Sequence, residues 1–150
     1  VLLATILSDL EKVDTAKVAR MALIHDLAES VLGDMPQQAT SIVGRKEKEF
    51  FEGVAVKKVF EKLPEEIRGL YWSTWEEFVD GKSREAKLVR KADWLERSIQ
   101  ALEYMEQGYK GLEEYLEEEN RNKGEVTFET VEKLGGSVRK ALSLLKRVNR

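Results

Sequence analysis

One histidine stands in the whole chain, His25, and Asp26 follows it at once; Glu29 comes three residues later, then the pair Gly33-Asp34. They lie in MALIHDLAESVLGDMP, a stretch whose other residues are mostly apolar. Burying an ionisable group among leucines is costly unless it is paired or bound to a metal. Three such groups in little more than one helical turn therefore read as a site. Neighbouring helical residues point about 100° apart, and a cation between the two directions reaches both. An imidazole nitrogen with a carboxylate oxygen is a partial ligand set for a divalent transition metal. A lone histidine on an apolar face is also often a core residue bonded to a carboxylate or carbonyl, and two ligands alone do not separate the readings.

A second acid in an apolar face lies downstream, in AKLVRKADWLERSIQALEY: Asp93, with Val89, Ala92, Leu95 and Ile99 around it. Its ordinary reading is a helical ion pair with Arg90, Lys91 or Arg97. It is the second place to look for a site residue.

Composition removes other chemistries. The chain has no cysteine, which excludes thiolate nucleophiles, cysteine-ligated zinc and disulfides. That absence suits a reducing interior, so a cytoplasmic location is expected. The net charge of −3, from 28 acids and 25 bases, gives no reason to expect a nucleic-acid partner. No apolar run reaches the roughly 18 residues a membrane helix needs. Charged residues make up 35% of the chain and most acids are Glu, a composition like that of thermophile surfaces.

The elements that must carry these residues are helical almost throughout. Residues 1–12 start apolar, with no capping residue, and read as the back half of a helix. Asp14 or Thr15 caps a helix continuing to Leu32, placing Val18, Ala22, His25 and Glu29 on one face. Gly33 ends it, and residues 33–44 read as a loop. Further helices follow over residues 45–63, from Pro64 to about Gly81, and from Ser83 to about Tyr109. An acidic, exposed segment, LEEYLEEENRNKG, precedes a last helix capped by Thr127 and weakened at Gly135-Gly136. Trp72, Trp75, Trp94, Tyr71 and Phe78 read as helix-packing core or a dimer interface rather than a base-stacking platform. With no linker and no repeat, residues 1–150 form a single all-α domain of six or seven helices.

The ordered set of H-D, an acid three residues on, G-D-x-P, and a distant K-A-D-x-L-E resembles the HD-domain metal-dependent phosphohydrolases. Within them it is most similar to the branch acting on deoxyribonucleoside 5′-monophosphates. The resemblance covers roughly residues 1–105 and implies one divalent metal, held by two histidines and two aspartates in the order H…HD…D. His25 and Asp26 match the central pair and Asp93 the last ligand. Glu29 matches a catalytic acid, Asp34 a sugar-contacting aspartate, and Lys91 a basic residue expected to face the phosphate. The first histidine of the pattern is missing from this chain and is expected a few residues before Val1, as are an arginine and a tryptophan of the substrate site.

The resemblance thus implies a phosphohydrolase using cobalt, manganese, nickel or zinc on a small nucleotide. A homodimer is usual for such proteins. Two alternatives stand beside it: hydrolysis of another small phosphoester or a nucleoside triphosphate, and a helical binding module without turnover.

Overall fold

The structure is a computed structural model that describes residues 1–116, 133–137 and 140. Over the first 116 residues it contains seven α-helices, a closing 3-10 turn and no strand. The helices are α1 (Leu2–Leu10), α2 (Thr15–Ile24), α3 (Glu29–Leu32), α4 (Gln37–Val43), α5 (Arg45–Phe60), α6 (Glu65–Asp80) and α7 (Arg84–Glu106); the 3-10 turn is Glu113–Leu116. The all-α expectation holds. Most of the final helix expected from Thr127 lies outside the described residues, as does the end of the acidic segment; residues 133–137 are helical.

Local chemistry sets the helix limits. Asp14 caps α2 by accepting from the Lys17 N–H at 3.0 Å, and the Ser83 hydroxyl caps α7 by accepting from the Ala86 N–H at 3.2 Å. Gly81, at φ +69°, ends α6 in the left-handed conformation that glycine adopts without strain.

Two expectations need correction. The helix from Asp14 does not run unbroken to Leu32. It stops at Ile24, and residues 25–28 form tight turns closed by i→i+3 bonds, Leu27 N–H to the Ile24 carbonyl and Glu29 N–H to the Asp26 carbonyl. Here the His25 ring bonds the Ala22 carbonyl, a group that otherwise serves the helix ladder. The loop expected over 33–44 contains a helix, α4. Its only flanking signals are Pro36 before it and Gly44 after it, and its short polar sequence carries no clear helical period.

The core has two parts. In the first, α1, α2 and α7 pack together through Leu7, Val18, Met21, Leu88, Val89 and Leu95, all but sealed from solvent. Burial of each large side chain stabilises by about 1.5–3 kcal/mol. In the second, α5 packs on α6 through Val56, Phe60 and Trp75, joined by Ile24 and Ala28 from either end of the broken turn. The first cluster reaches Ala22 and the second takes up Ile24 and Ala28, so the His25 turn lies where the chain passes from one to the other. Lys17 adds a polar tie at the helix ends, 3.0 Å from Glu77 of α6 and 3.5 Å from Glu85 of α7. Among the described residues no helix is long and apolar enough to cross a membrane.

Candidate metal centre

His25 sits at the C-cap of α2, where the helix breaks. Its Nδ1 lies 3.0 Å from the Ala22 carbonyl. A carbonyl only accepts, so Nδ1 carries the hydrogen, and the neutral ring is left with its lone pair on Nε2. That second nitrogen points at carboxylates: Asp26 Oδ2 is 2.8 Å away and Asp93 Oδ1 3.9 Å away. Both approaches miss hydrogen-bond geometry, so Nε2 is buried without a hydrogen-bond partner among the described residues. An orphaned imidazole nitrogen facing two acids is what a divalent cation requires, and a backbone bond to the other ring nitrogen is the usual way such a ligand is oriented. Donor atoms of His25, Asp26 and Asp93 all lie within 4.8 Å of one another. The mixed nitrogen and oxygen set fits a divalent transition metal without choosing one.

The electrostatics follow from this crowding. Burial works to lower the His25 pKa, but the carboxylates of Asp26 and Asp93 outweigh it and push it up to about 10. Burial works to raise the Asp93 pKa; interaction with the His25 side chain and its charge, helped by Arg97, brings it below the usual carboxylate range. Glu29 goes the other way. Burial, then the like charges of Asp26 and Asp34, raise its pKa, and Lys48 opposes them only in part.

These groups line a cavity of about 600 Å³, a size typical of small-molecule sites. Of the residues singled out in the sequence, His25, Asp26, Glu29, Asp34 and Asp93 all line it. Lys91 does not. On α7 the cavity face repeats at Arg90, Asp93 and Arg97, spaced three and four apart, and Lys91 falls off that stripe.

Three further lining residues were given no site role in the sequence. Phe78, assigned to the aromatic core, lies edge-on to the His25 ring with centroids 5.7 Å apart and planes at 82°. Arg90, named only as a possible ion-pair partner of Asp93, stacks over Phe78 with its guanidinium carbon 4.7 Å from the ring centroid. It also donates to the Phe78 carbonyl at 2.8 Å, fixing the end of α6 against the site. Tyr115 reaches the cavity because buried Ser98 of α7 donates to its carbonyl at 3.0 Å and so holds the 3-10 turn there. Only the helical spacing of Arg90 and Arg97 about Asp93 pointed this way.

Comparison with known proteins agrees with the geometry. A family model described as an HD domain matches residues 1–134. The 5′-deoxynucleotidase HDDC2 of Homo sapiens is 33% identical over 102 residues, covering 68% of this chain and 48% of that protein. The 5′-deoxynucleotidase YBR242W of Saccharomyces cerevisiae is 30% identical over 108 residues, covering 69% of this chain and 44% of that protein. The chain thus spans about half the length of the curated relatives it matches. The crystal structure of the PH0347 protein from Pyrococcus horikoshii OT3 superposes with a TM-score of 0.74 at 30% identity, over 93% of this chain and 78% of that one. A match over most of the sequence, on an all-α bundle that gathers the His-Asp pair and a distant aspartate, places the chain: it belongs to the HD-domain family.

Proposed function

We propose that the protein is a metal-dependent phosphohydrolase that releases phosphate from deoxyribonucleoside or ribonucleoside 5′-monophosphates. The observation that carries this is the convergence of His25 Nε2 with the Asp26 and Asp93 carboxylates beside Glu29, at a cavity large enough for a nucleotide. The deoxynucleotidase relatives support the substrate class.

His25, Asp26 and Asp93 hold the metal. When bound, the metal supplies Lewis acidity that polarises the phosphoryl group and lowers the pKa of water. Glu29 moves the proton. Its raised pKa brings a carboxyl towards neutral pH, where it serves best as a general acid or base. Asp34, which lines the same cavity and whose charge reaches Glu29, accepts from a sugar hydroxyl in this reading. Phe78 and the Arg90 stack behind it keep water from the back of the His25 ring.

The same reading includes a homodimer, for which exposed Ile42, Phe50 and Phe51 on α4 and α5 offer an apolar face; sedimentation tests it.

The direct test is phosphate release by the full-length, cobalt- or manganese-loaded protein from mono- and triphosphates. Release from monophosphates is expected. Exclusive release from triphosphates moves the substrate class, and no release from any nucleotide overturns the reading.

A further inference from the structure

The cavity carries more carboxylates than cations among its described lining residues, yet the proposed substrate arrives as a phosphate dianion. Something other than the metal has to offset that repulsion. Four basic residues are among its described lining residues, and their existing partners separate them. Arg45 is bound to Glu49 at 2.6 Å, and Lys48 to Glu52 at 3.4 Å, both pairs along α5. Arg90 is committed to the carbonyls of Phe78 and Val79 and to the Phe78 ring.

Arg97 differs. It lies one turn past Asp93 on the same face of α7, and its Nε, like that of Arg90, is buried outside hydrogen-bond geometry among the described residues, whereas Arg90 is in addition held by two carbonyls. A buried guanidinium donor left unsatisfied costs stability unless a ligand takes it up, and the planar guanidinium fork fits two phosphate oxygens at once. The site is also polarised. The charges acting on Glu29 are chiefly the acids Asp26 and Asp34, whereas Asp93 has His25 and Arg97 beside it. A dianion entering between the metal ligands and Arg97 meets positive charge on both sides and leaves its ester oxygen free to face the acid side.

We propose that Arg97, rather than Lys91, binds the substrate phosphate. The proposal rests on the phosphohydrolase reading and adds a residue to it. The alternative is that Arg97 only steadies Asp93 as a ligand.

The test is calorimetric titration of inorganic phosphate into the cobalt-loaded, full-length protein, with cobalt content measured on each variant. Arg97→Met is expected to weaken phosphate binding about tenfold or more with cobalt content unchanged, and Arg97→Lys to fall between it and the unaltered protein. Phosphate affinity within twofold of the unaltered protein in Arg97→Met overturns the proposal. So does loss of cobalt with undiminished phosphate affinity in the loaded fraction, or a loss carried by Lys91→Met instead. If circular dichroism shows Arg97→Met unfolded, Arg97→Lys decides alone: at least threefold weaker binding supports the fork, and unchanged binding removes it. Because phosphate binding is read without turnover, failure of the hydrolase reading registers separately, as a protein that binds phosphate and releases none from nucleotides.

Discussion

His25 shows how much one side chain can be asked to do. Its Nδ1 holds the broken end of α2 through the Ala22 carbonyl, while Nε2 is delivered to two acids. In the metal-free protein the raised pKa keeps this ring protonated at neutral pH. The folded pKa lies above the unfolded value, so the stability gained from the His25–carboxylate cluster is fully present below about pH 6.5 and is lost as pH rises through about 10. A metal must displace that proton. Apparent metal affinity is therefore expected to strengthen as pH rises towards 10, with about one proton released per ion from this ring at neutral pH. Calorimetry in buffers of different ionisation enthalpy measures it, and a pH-independent affinity contradicts it. Asp93→Ala is expected to abolish metal binding. Glu29→Gln is expected to keep the metal and lose roughly 10²–10⁴-fold in kcat, the usual contribution of a positioned proton-transfer group; metal content and rates on the two variants separate the roles. His25, Asp26 and Asp93, which the structure brings together, stood out in the sequence as ionisable groups among apolar residues, where burial is costly, although both acids keep an exposed side in the fold. The order of importance of Arg90, Lys91 and Arg97 was not legible, since a one-residue difference on α7 decides which side chain meets the cavity.

Among the elements, α7 matters most, because its outer face carries Asp93 and Arg97 while its inner face seals the core. Leu95 is fully buried two residues from Asp93. Leu95→Ala is expected to cost about 2–5 kcal/mol, seen as a lower denaturation midpoint, and to loosen the metal site with it. Asp14→Ala removes the cap of α2 and is expected to cost about 1 kcal/mol, with metal affinity nearly unchanged, since the His25 end of that helix is fixed separately. Most helices were legible from caps, glycines and apolar period: α5, α6 and α7 start and stop close to their Gly, Pro and Ser signals. The break at residues 25–28 was not legible, because ALIHDLAES keeps an apolar period straight through it. What stops the helix is a side chain bonding its own backbone, joined to packing of Ile24 and Ala28 against α5 and α6. Helix α4 was hidden for the opposite reason, having turn-like residues and little period of its own.

For the molecule as a unit, the fold brings the three proposed ligands together where the chain passes from one core to the other. The His25 turn is anchored in the second cluster just beyond Ala22 of the first, and α7 presents Asp93 from the first. Because the donors are gathered only in the folded chain, metal stabilises the whole. At a hundredfold excess of free metal over Kd the gain is about 2.7 kcal/mol, which raises Tm by several degrees in a domain of this size; chelation is expected to reverse it, and a Tm indifferent to metal contradicts the linkage. Convergence of distant ligands was legible only through the family pattern, since no spacing rule relates Asp93 to His25. A crystal of the full-length protein loaded with cobalt and recorded at the cobalt absorption edge tests that convergence most directly. One anomalous peak is expected about 2.0–2.2 Å from His25 Nε2 and from a carboxylate oxygen each of Asp26 and Asp93. A peak away from these three side chains, or one that leaves out His25 or Asp93, contradicts it.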